Sequence, residues 1–368
     1  MAWRLQRHHL DERVPKRSAL DVVADVGGLH AQLMSSAELA LWARVDQLKR
    51  NDVKKWLWTD RRLVKTWAMR GTLHVLRSDE YPLWQAGLGT YQHYLKPAWF
   101  KAFGVTRPEL DKLVASIAKA LDGRTLTRDE LAASVAKVAR SKALAGKLRG
   151  SWGAMLKPAA FQGRLCFGPN RGRNVTFARP DQWLGLGESD VVDPDEALRA
   201  ITRRFLSAYG PATREDLARW WAVSPAAGGR LISGLGDEVT LVDLEGAEYW
   251  ALTNTVSALT EASPTKSVRL LPGFDPYIIG STKHATKLMA GDFKARVHRP
   301  QGWVSPVLLV DGRIDGVWRH DNKGKRMLLD IEPFAPVPKW VARGAEQEAE
   351  SLAAFLGGPL ELAWADEA

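Results

Sequence analysis

One cysteine, Cys166, in a chain of 368 residues excludes a disulfide framework and any cysteine-rich metal site. The eight histidines show no HExxH or comparable pairing, which argues against a zinc enzyme, and no metal or other cofactor is expected. Neither GxxxxGKS/T nor GxGxxG occurs, so the familiar phosphate-cradling loops are missing. No run of about 18 apolar residues is present, which disfavours a membrane-spanning helix. The stretch Met1 to His9 lacks the continuous apolar segment of a secretion signal, and a cytoplasmic location is expected. Carboxylates are also absent where they would be informative: residues 131–180 hold ten Lys and Arg and no Asp or Glu.

That gap gives the charge its shape. The chain carries +10 overall; residues 91–180 have 17 basic against 5 acidic side chains, a net +12, and residues 181–260 have 6 against 13, a net −7. A long segment without internal counter-charge attracts a polyanion, and a basic patch is the electrostatic footprint of nucleic-acid binding. The competing reading is a solvated face balanced after folding by the acidic 181–260 block.

The third quarter of the chain has the clearest local signals. Asp195 to Ser207 has helical apolar spacing and stops before Gly210-Pro211. Thr213 and Asp216 fit a capping box opening a second helix to about Ala222. Ser224-Pro225 is an N-cap followed by proline at the first helical position, predicting a third helix to Ser233. Val239–Val242 and Glu248–Leu252 then read as strands around the Glu245-Gly246 turn. Three helices and a hairpin make a winged helix.

The same order recurs twice upstream. Residues 107–121, a Thr127/Glu130 capping box opening a helix to about Arg140, and a helical stretch between Ser141 and Leu156 precede strands at 165–167 and 175–177, whose connecting loop has a basic tip. Near the start, helices at about 19–26, 36–48 and 52–58 precede strands at 63–68 and 72–76 around Arg70-Gly71. Residues 268–334 are β-rich, with a hairpin turn at Asp311-Gly312 and a third strand at 325–331 reached through a 320–324 loop. Lys339 to Phe355 reads as an amphipathic helix with Glu346, Glu348 and Glu350 on its solvated face. The expected fold is therefore α+β and mainly α: three tandem winged-helix units, 1–90, 91–185 and 186–260, then a small C-terminal β unit, 261–368, closed by a helix.

Between Gly27-Gly28 and a helix expected to start at Ser35, capped reciprocally by Glu38, lies Leu29-His30-Ala31-Gln32-Leu33. If this connection is extended, His30 and Gln32 project from one face and Leu29, Ala31 and Leu33 from the other. The two polar groups would hydrogen-bond a water, with neutral His30 able to take its proton. Alternatively, both satisfy backbone groups at the turn. Other candidates are Arg70, Arg164, Arg171 and Arg173 near hairpins, Lys323, Lys325 and Arg326 at a hairpin tip, and Asp275, which either lines a pocket or serves an Asp-Pro turn. Most of the sixteen tryptophans, Trp220 and Trp221 among them, are expected in the core, with one or two left to stack on a displaced base.

The segments GGLHAQL (27–33), LVKTWAMRGTLHVL (63–76), GRLCFGP (163–169), RRFLSAYGPAT (203–213), LLPGFDPYIIG (270–280) and VLLVDGRIDGVW (307–318) make the chain resemble, nearly throughout and in one order, the AlkZ-like DNA glycosylases. These belong to a bacterial winged-helix DNA-binding superfamily that also holds the YcaQ-type proteins. The resemblance implies three winged-helix units around duplex DNA and excision of N-alkylated purines, notably bulky N7 adducts of genotoxic natural products, in DNA repair or toxin self-resistance. It also implies a C-terminal β-hairpin that probes a groove. The AlkZ branch carries Gln, an apolar residue, then Gln; the YcaQ branch ends in Asp. This chain keeps the second position as Gln32 but has His30 at the first, a departure that bears on substrate and rate more than on reaction class. The expected enzyme is a monofunctional, monomeric hydrolase acting on double-stranded DNA carrying alkylated purines. The alternative from another class is a winged-helix transcriptional regulator that binds DNA without catalysis; a protein scaffold explains the charge distribution least well.

Overall fold

The computed structural model describes residues 1–151, 153–264, 266–280, 288–289, 293–323 and 326–365. It is a mixture of helices and strands that separates into two units. One is discontinuous, made of Met1–Asp52 and Thr202–Ala368; the other is the continuous segment Val53–Ile201. The helices Asp52–Trp58 and Pro194–Tyr209 run across the two chain boundaries.

In the continuous unit, Leu63–Trp67 and Leu73–Arg77 pair antiparallel, Leu63 opposite Arg77 and Trp67 opposite Leu73, around the expected Arg70-Gly71 turn. The helix Arg107–Ala120 opens with a Thr106/Glu109 capping box, and Arg128–Val138 with the expected Thr127/Glu130 box. Lys142–Gly150 follows behind Ser141, whose hydroxyl accepts from the Leu144 amide. These helices bury Leu110, Leu113, Ile117, Leu131, Val135 and Leu148. The hairpin Cys166–Arg171/Asn174–Ala178 is flanked by the short strand Leu126–Thr127. Phe167 ties the two hairpins together, its ring 4.9 Å from Trp67 and 5.1 Å from Phe177.

In the discontinuous unit, the elements of the third quarter form where the sequence places them: Pro194–Tyr209, Arg214–Trp221 behind its Thr213/Asp216 box, Pro225–Ser233 behind Ser224, then the strands Val239–Leu244 and Ala247–Leu252. Glu245 and Gly246 both have positive φ, the geometry of a two-residue hairpin turn. Ala212 and Trp250 exchange backbone hydrogen bonds of 2.9 and 2.8 Å, fastening the hairpin to the start of the second helix. Phe205, Trp220 and Trp221 form the aromatic centre, with Trp220 5.3 Å from Phe205 and 5.9 Å from Trp221.

The C-terminal part is a five-stranded sheet in the order Leu360–Trp364, Arg326–Pro333, Arg313–Lys323, Val307–Val310, Val268–Leu271. All neighbours are antiparallel except Arg326–Pro333 and Leu360–Trp364, which run parallel. The helix Lys339–Leu356 supplies that crossover and packs on Val268–Leu271. Gly344 permits the approach: a Cβ there would sit 2.7 Å from a Val268 methyl.

Three expectations are corrected here. Residues 320–323 are not a loop, because the strand from Arg313 continues to Lys323, which pairs with Arg326, while Gly324 lies outside the described residues; cross-strand pairing outweighs the turn-like composition. The helix after Gln32 starts at Met34, behind Leu33, without a side-chain cap, so Ser35 and Glu38 form no capping box at its start. Glu348 is not solvated. It is 4 % exposed and receives Arg13 (2.9 Å) and Arg269 (3.6 Å), while Glu346 and Glu350 stay exposed. A buried carboxylate needs such partners to offset its desolvation.

Candidate active site and nucleic-acid interface

The His30–Gln32 segment is set by how the helix before it ends. Ala19–Asp25 is closed by Gly27 and Gly28, at φ of +71° and +93°, a left-handed path that glycine follows without Cβ strain. Its last carbonyls are taken by distant side chains: the Tyr209 hydroxyl donates to Val26 O at 2.8 Å and Arg204 Nη1 to Ala24 O at 3.0 Å. A Cβ at Gly27 would lie 3.1 Å from the Trp220 indole. The chain leaves this anchored end as the two-residue strand Leu29–His30.

Leu29 and Ala31 are fully buried, as alternation requires, and Gln32 is exposed. Leu33 departs from the expected apolar face: it is 41 % exposed and borders a cavity. The His30 imidazole is buried and lies flat against Phe274, ring centres 4.9 Å apart and planes 16° from parallel. Phe274 holds φ +63°, an uncommon conformation for a bulky residue that persists only where its surroundings enforce it.

The enforcing neighbour is Asp275. Its carboxylate does not line the cavity; it takes the structural alternative, wholly buried in a two-point pair with Arg44 (Nη1–Oδ2 2.8 Å, Nη2–Oδ1 2.7 Å) and accepting the Tyr277 amide at 2.9 Å. Arg44 is equally inaccessible and also donates to Ala40 O at 2.6 Å. Trp303 also packs against Phe274, ring centres 5.4 Å apart. Phe274 and Trp303 escaped sequence reasoning, although Phe274 stands beside Asp275 in a segment already singled out.

The cavity of about 620 Å³ is walled mainly by Leu39, Pro272, Phe274, Trp303, Val304 and Trp318, with Ser35, Ser36, Arg299 and His320 as polar groups. Burial holds His320 below its ordinary value, with Asp321 opposing, so its imidazole is neutral at pH 7.

The basic candidates Arg70, Arg164, Arg171 and Arg173 all belong to the continuous unit. Arg70 occupies a positive-φ position (+58°) in its turn. Arg173 is exposed at the hairpin tip beside Gly172, and Arg164 is exposed beside Gln162. Arg171 is committed within the fold, paired with Glu130 at 2.9 Å and donating to Thr125 O. Arg149 meets Asp129 and Arg179 meets Asp122 and Asp181. Among the described residues, the carboxylates on these arginines are Asp122, Asp129 and Glu130, with Asp181 from the 181–260 block. Lys137, Arg140, Lys142, Arg164 and Arg173 are exposed and form no ion pair among the described residues. Lys65, which sequence reasoning passed over, lies 5.3 Å over Phe167, and burial lowers it to about 8. In the other unit Arg326 is exposed, Lys323 pairs with it through the backbone, and Lys325 lies outside the described residues.

A family model described as DNA glycosylase AlkZ-like matches residues 23–355. The chain is 38% identical over 359 residues to an interstrand DNA cross-link repair glycosylase of Streptomyces sahachiroi, covering 97% of this chain and 95% of that protein. The solved structure of the Streptomyces sahachiroi DNA glycosylase AlkZ superposes with a TM-score of 0.89 at 37% identity, covering 98% of this chain and 97% of that one. Among the described residues, no helix is long and apolar enough to cross a membrane.

Proposed function

The chain belongs to the AlkZ-like DNA glycosylase family and is a glycosylase, and from that premise we propose that it excises N-alkylated purines, N7-alkylguanine above all, from duplex DNA with His30 and Gln32 as the catalytic pair. The observation that carries this reading is the His30 ring stacked flat on Phe274, itself a wall of the cavity, two residues before an exposed Gln32. Alkylation at N7 makes the purine cationic. The C1′–N9 bond breaks with its electron pair passing to the base, which leaves neutral, and the sugar gains oxocarbenium character. Gln32 holds a water by its amide. As the water oxygen bonds to C1′, His30 takes the released proton, leaving a free base and an abasic site. Stacking fixes the plane of the imidazole, so orientation is set before the substrate arrives. The reading assigns no lysine to attack C1′ and takes the enzyme as a monofunctional hydrolase.

In this reading Arg70, Arg164, Arg171 and Arg173, and likewise Lys323, Lys325 and Arg326, serve duplex DNA, and the enzyme acts as a monomer in DNA repair or self-resistance. The repeated helix–helix–helix–hairpin order supports three winged-helix units as its DNA-binding frame. The relative's name adds cross-linked DNA to the substrates worth testing.

The test is alkaline strand scission of an N7-methylguanine duplex by wild type, His30→Ala and Gln32→Ala. The expected result is a rate loss of roughly 10²–10⁴, the range for a removed general base or water-orienting group, with duplex affinity kept. Unchanged scission in both variants refutes the assignment of the pair. Scission absent with wild type, on this duplex and on one bearing a bulky adduct, moves the reading to a non-catalytic DNA-binding regulator.

A further inference from the structure

We propose that His93, Lys96 and Lys157, together with the Arg70-Gly71 turn, clamp one backbone phosphate of the duplex. This rests on duplex DNA being the substrate and is independent of the roles given to His30 and Gln32.

Three stretches of the chain, 61–78, 81–108 and 131–180, contain no Asp or Glu, and the continuous unit brings a basic residue of each to one place. Tyr91, His93 and Tyr94 surround the buried Phe161 ring, with centres 5.3, 5.5 and 6.0 Å from it. Phe161 ends the short helix that Lys157 begins. A Cβ placed on Gly71 would lie 3.6 Å from Lys157 Nζ and 3.9 Å from the tip of Phe161, so the Lys157 amine rests against the turn that carries Arg70. The buried Tyr91 hydroxyl hydrogen-bonds the Arg70 backbone, which fastens that turn, with Arg70 at φ +58°, to the ring cluster. The aromatic platform therefore fixes where the basic groups sit before any ligand arrives.

The charges in this cluster are left unanswered. His93 and Lys96 are exposed and Lys157 is half-buried, and none of the three side chains makes a hydrogen bond or ion pair among the described residues. Elsewhere in the same unit Arg107, Arg149, Arg171 and Arg179 each meet a carboxylate. Several donors without an acceptor suit a phosphate, whose oxygens only accept. His93 makes the clamp respond to pH. Burial, then the positive Lys157 and Lys96, hold its imidazole below the ordinary value, so it is neutral at pH 7 in the free protein. Those lysines and the Tyr91 and Tyr94 phenols are the titratable groups facing it, with Arg70 behind Tyr91. A phosphate set among them favours the imidazolium instead. Duplex binding therefore takes up a proton at His93, and affinity rises as pH falls below neutral.

The experiment measures binding of a labelled, undamaged duplex by fluorescence anisotropy over pH and salt, for wild type, His93→Gln, Lys157→Met and Lys157→Arg, with thermal melts as a control for folding. Wild type should bind about fivefold tighter at pH 6 than at pH 7.5, inside the limit of roughly tenfold per pH unit for one proton. His93→Gln should bring that gain below about twofold. Lys157→Met should lower the salt-dependence slope by about 1, and Lys157→Arg should restore it. A wild-type pH gain in His93→Gln, or a wild-type slope in Lys157→Met, overturns the proposal. An NMR titration of His93 in the wild-type protein stands whether or not a variant folds: the duplex should raise its midpoint and inorganic phosphate alone should not. No rise with the duplex overturns the clamp, and an equal rise with inorganic phosphate overturns the duplex as its source and gives the site to a free phosphate ligand. Wild type that binds no duplex refutes DNA as the substrate; base release is not read, so none of these results turns on the His30 assignment.

Discussion

Replacing Asp275 by asparagine should destabilise the discontinuous unit far more than so conservative a change would suggest. Asp275 and Arg44 are both wholly inaccessible, joined by bonds of 2.8 and 2.7 Å, and Asp275 also accepts the Tyr277 amide. Asparagine keeps the size and one acceptor but leaves the guanidinium charge in the interior without its counter-ion, beside a buried His8 that Arg44 already disfavours in its charged form. Removing one partner of a buried pair costs about 3–5 kcal/mol, against roughly 5–15 kcal/mol for a whole domain. With an m-value of ~2–3 kcal/mol/M, the urea midpoint should fall by about 1.5 M. The double variant Arg44→Met/Asp275→Leu removes both charges and should recover most of the loss, because well-packed apolar replacements of buried pairs are near neutral. Urea titration followed by tryptophan fluorescence reads all the variants. A loss under ~1 kcal/mol for Asp275→Asn, or a double variant worse than the singles combined, refutes the argument that uncompensated charge sets the cost.

The lysine buried over Phe167 gives a pH prediction. Lys65 falls from 10.5 to about 8 in the folded protein through burial, so between those values the unfolded chain binds more protons and stability rises with pH. The penalty is complete below pH 8 and is relieved above it, by up to ~1.4 kcal/mol per pH unit. Melts of the continuous unit at pH 7 and 9 should show the rise, and Lys65→Met should flatten it; a wild-type curve that falls over this window refutes the assignment. At the second hairpin, Arg173→Ala should weaken duplex binding across sequences and lower the salt-dependence slope by about 1. Arg171→Ala should change the slope less, because Glu130 and Thr125 already hold that guanidinium. Equal slopes for the two variants would contradict this distinction.

What the sequence disclosed depended on how far each signal reaches along the chain. The helices behind Thr127 and Thr213 were legible because a cap and its partner lie three residues apart, the one behind Ser224 because Pro225 follows its cap directly, and the Glu245-Gly246 turn because its backbone conformation is local. Ser35 and Glu38 carried the same signal and misled: the helix begins one residue earlier, where Leu33 is drawn to the cavity wall. Glu348 was unreadable as a buried group because its partners, Arg13 and Arg269, are 335 and 79 residues away. The site divides in the same way. His30 and Gln32 stand out in a short motif, whereas Phe274, which fixes the His30 ring, is joined to it only through tertiary packing.

The split of one unit between the two ends of the chain orders events on the ribosome. His30 is made early, but Phe274 and Asp275 come some 240 residues later and Glu348, which grips Arg13, later still. At 5–20 residues per second, roughly 15–65 s separate the synthesis of His30 from that of Glu348. The segment 53–201 emerges whole in between, while the first 52 residues wait with Arg13 and Arg44 still lacking Glu348 and Asp275. The N-terminal segment is therefore the stretch with the longest exposure to chaperones and proteases, and the imidazole is clamped only near the end of translation. A nascent chain halted before residue 274 carries the His30 motif without the platform that orients it.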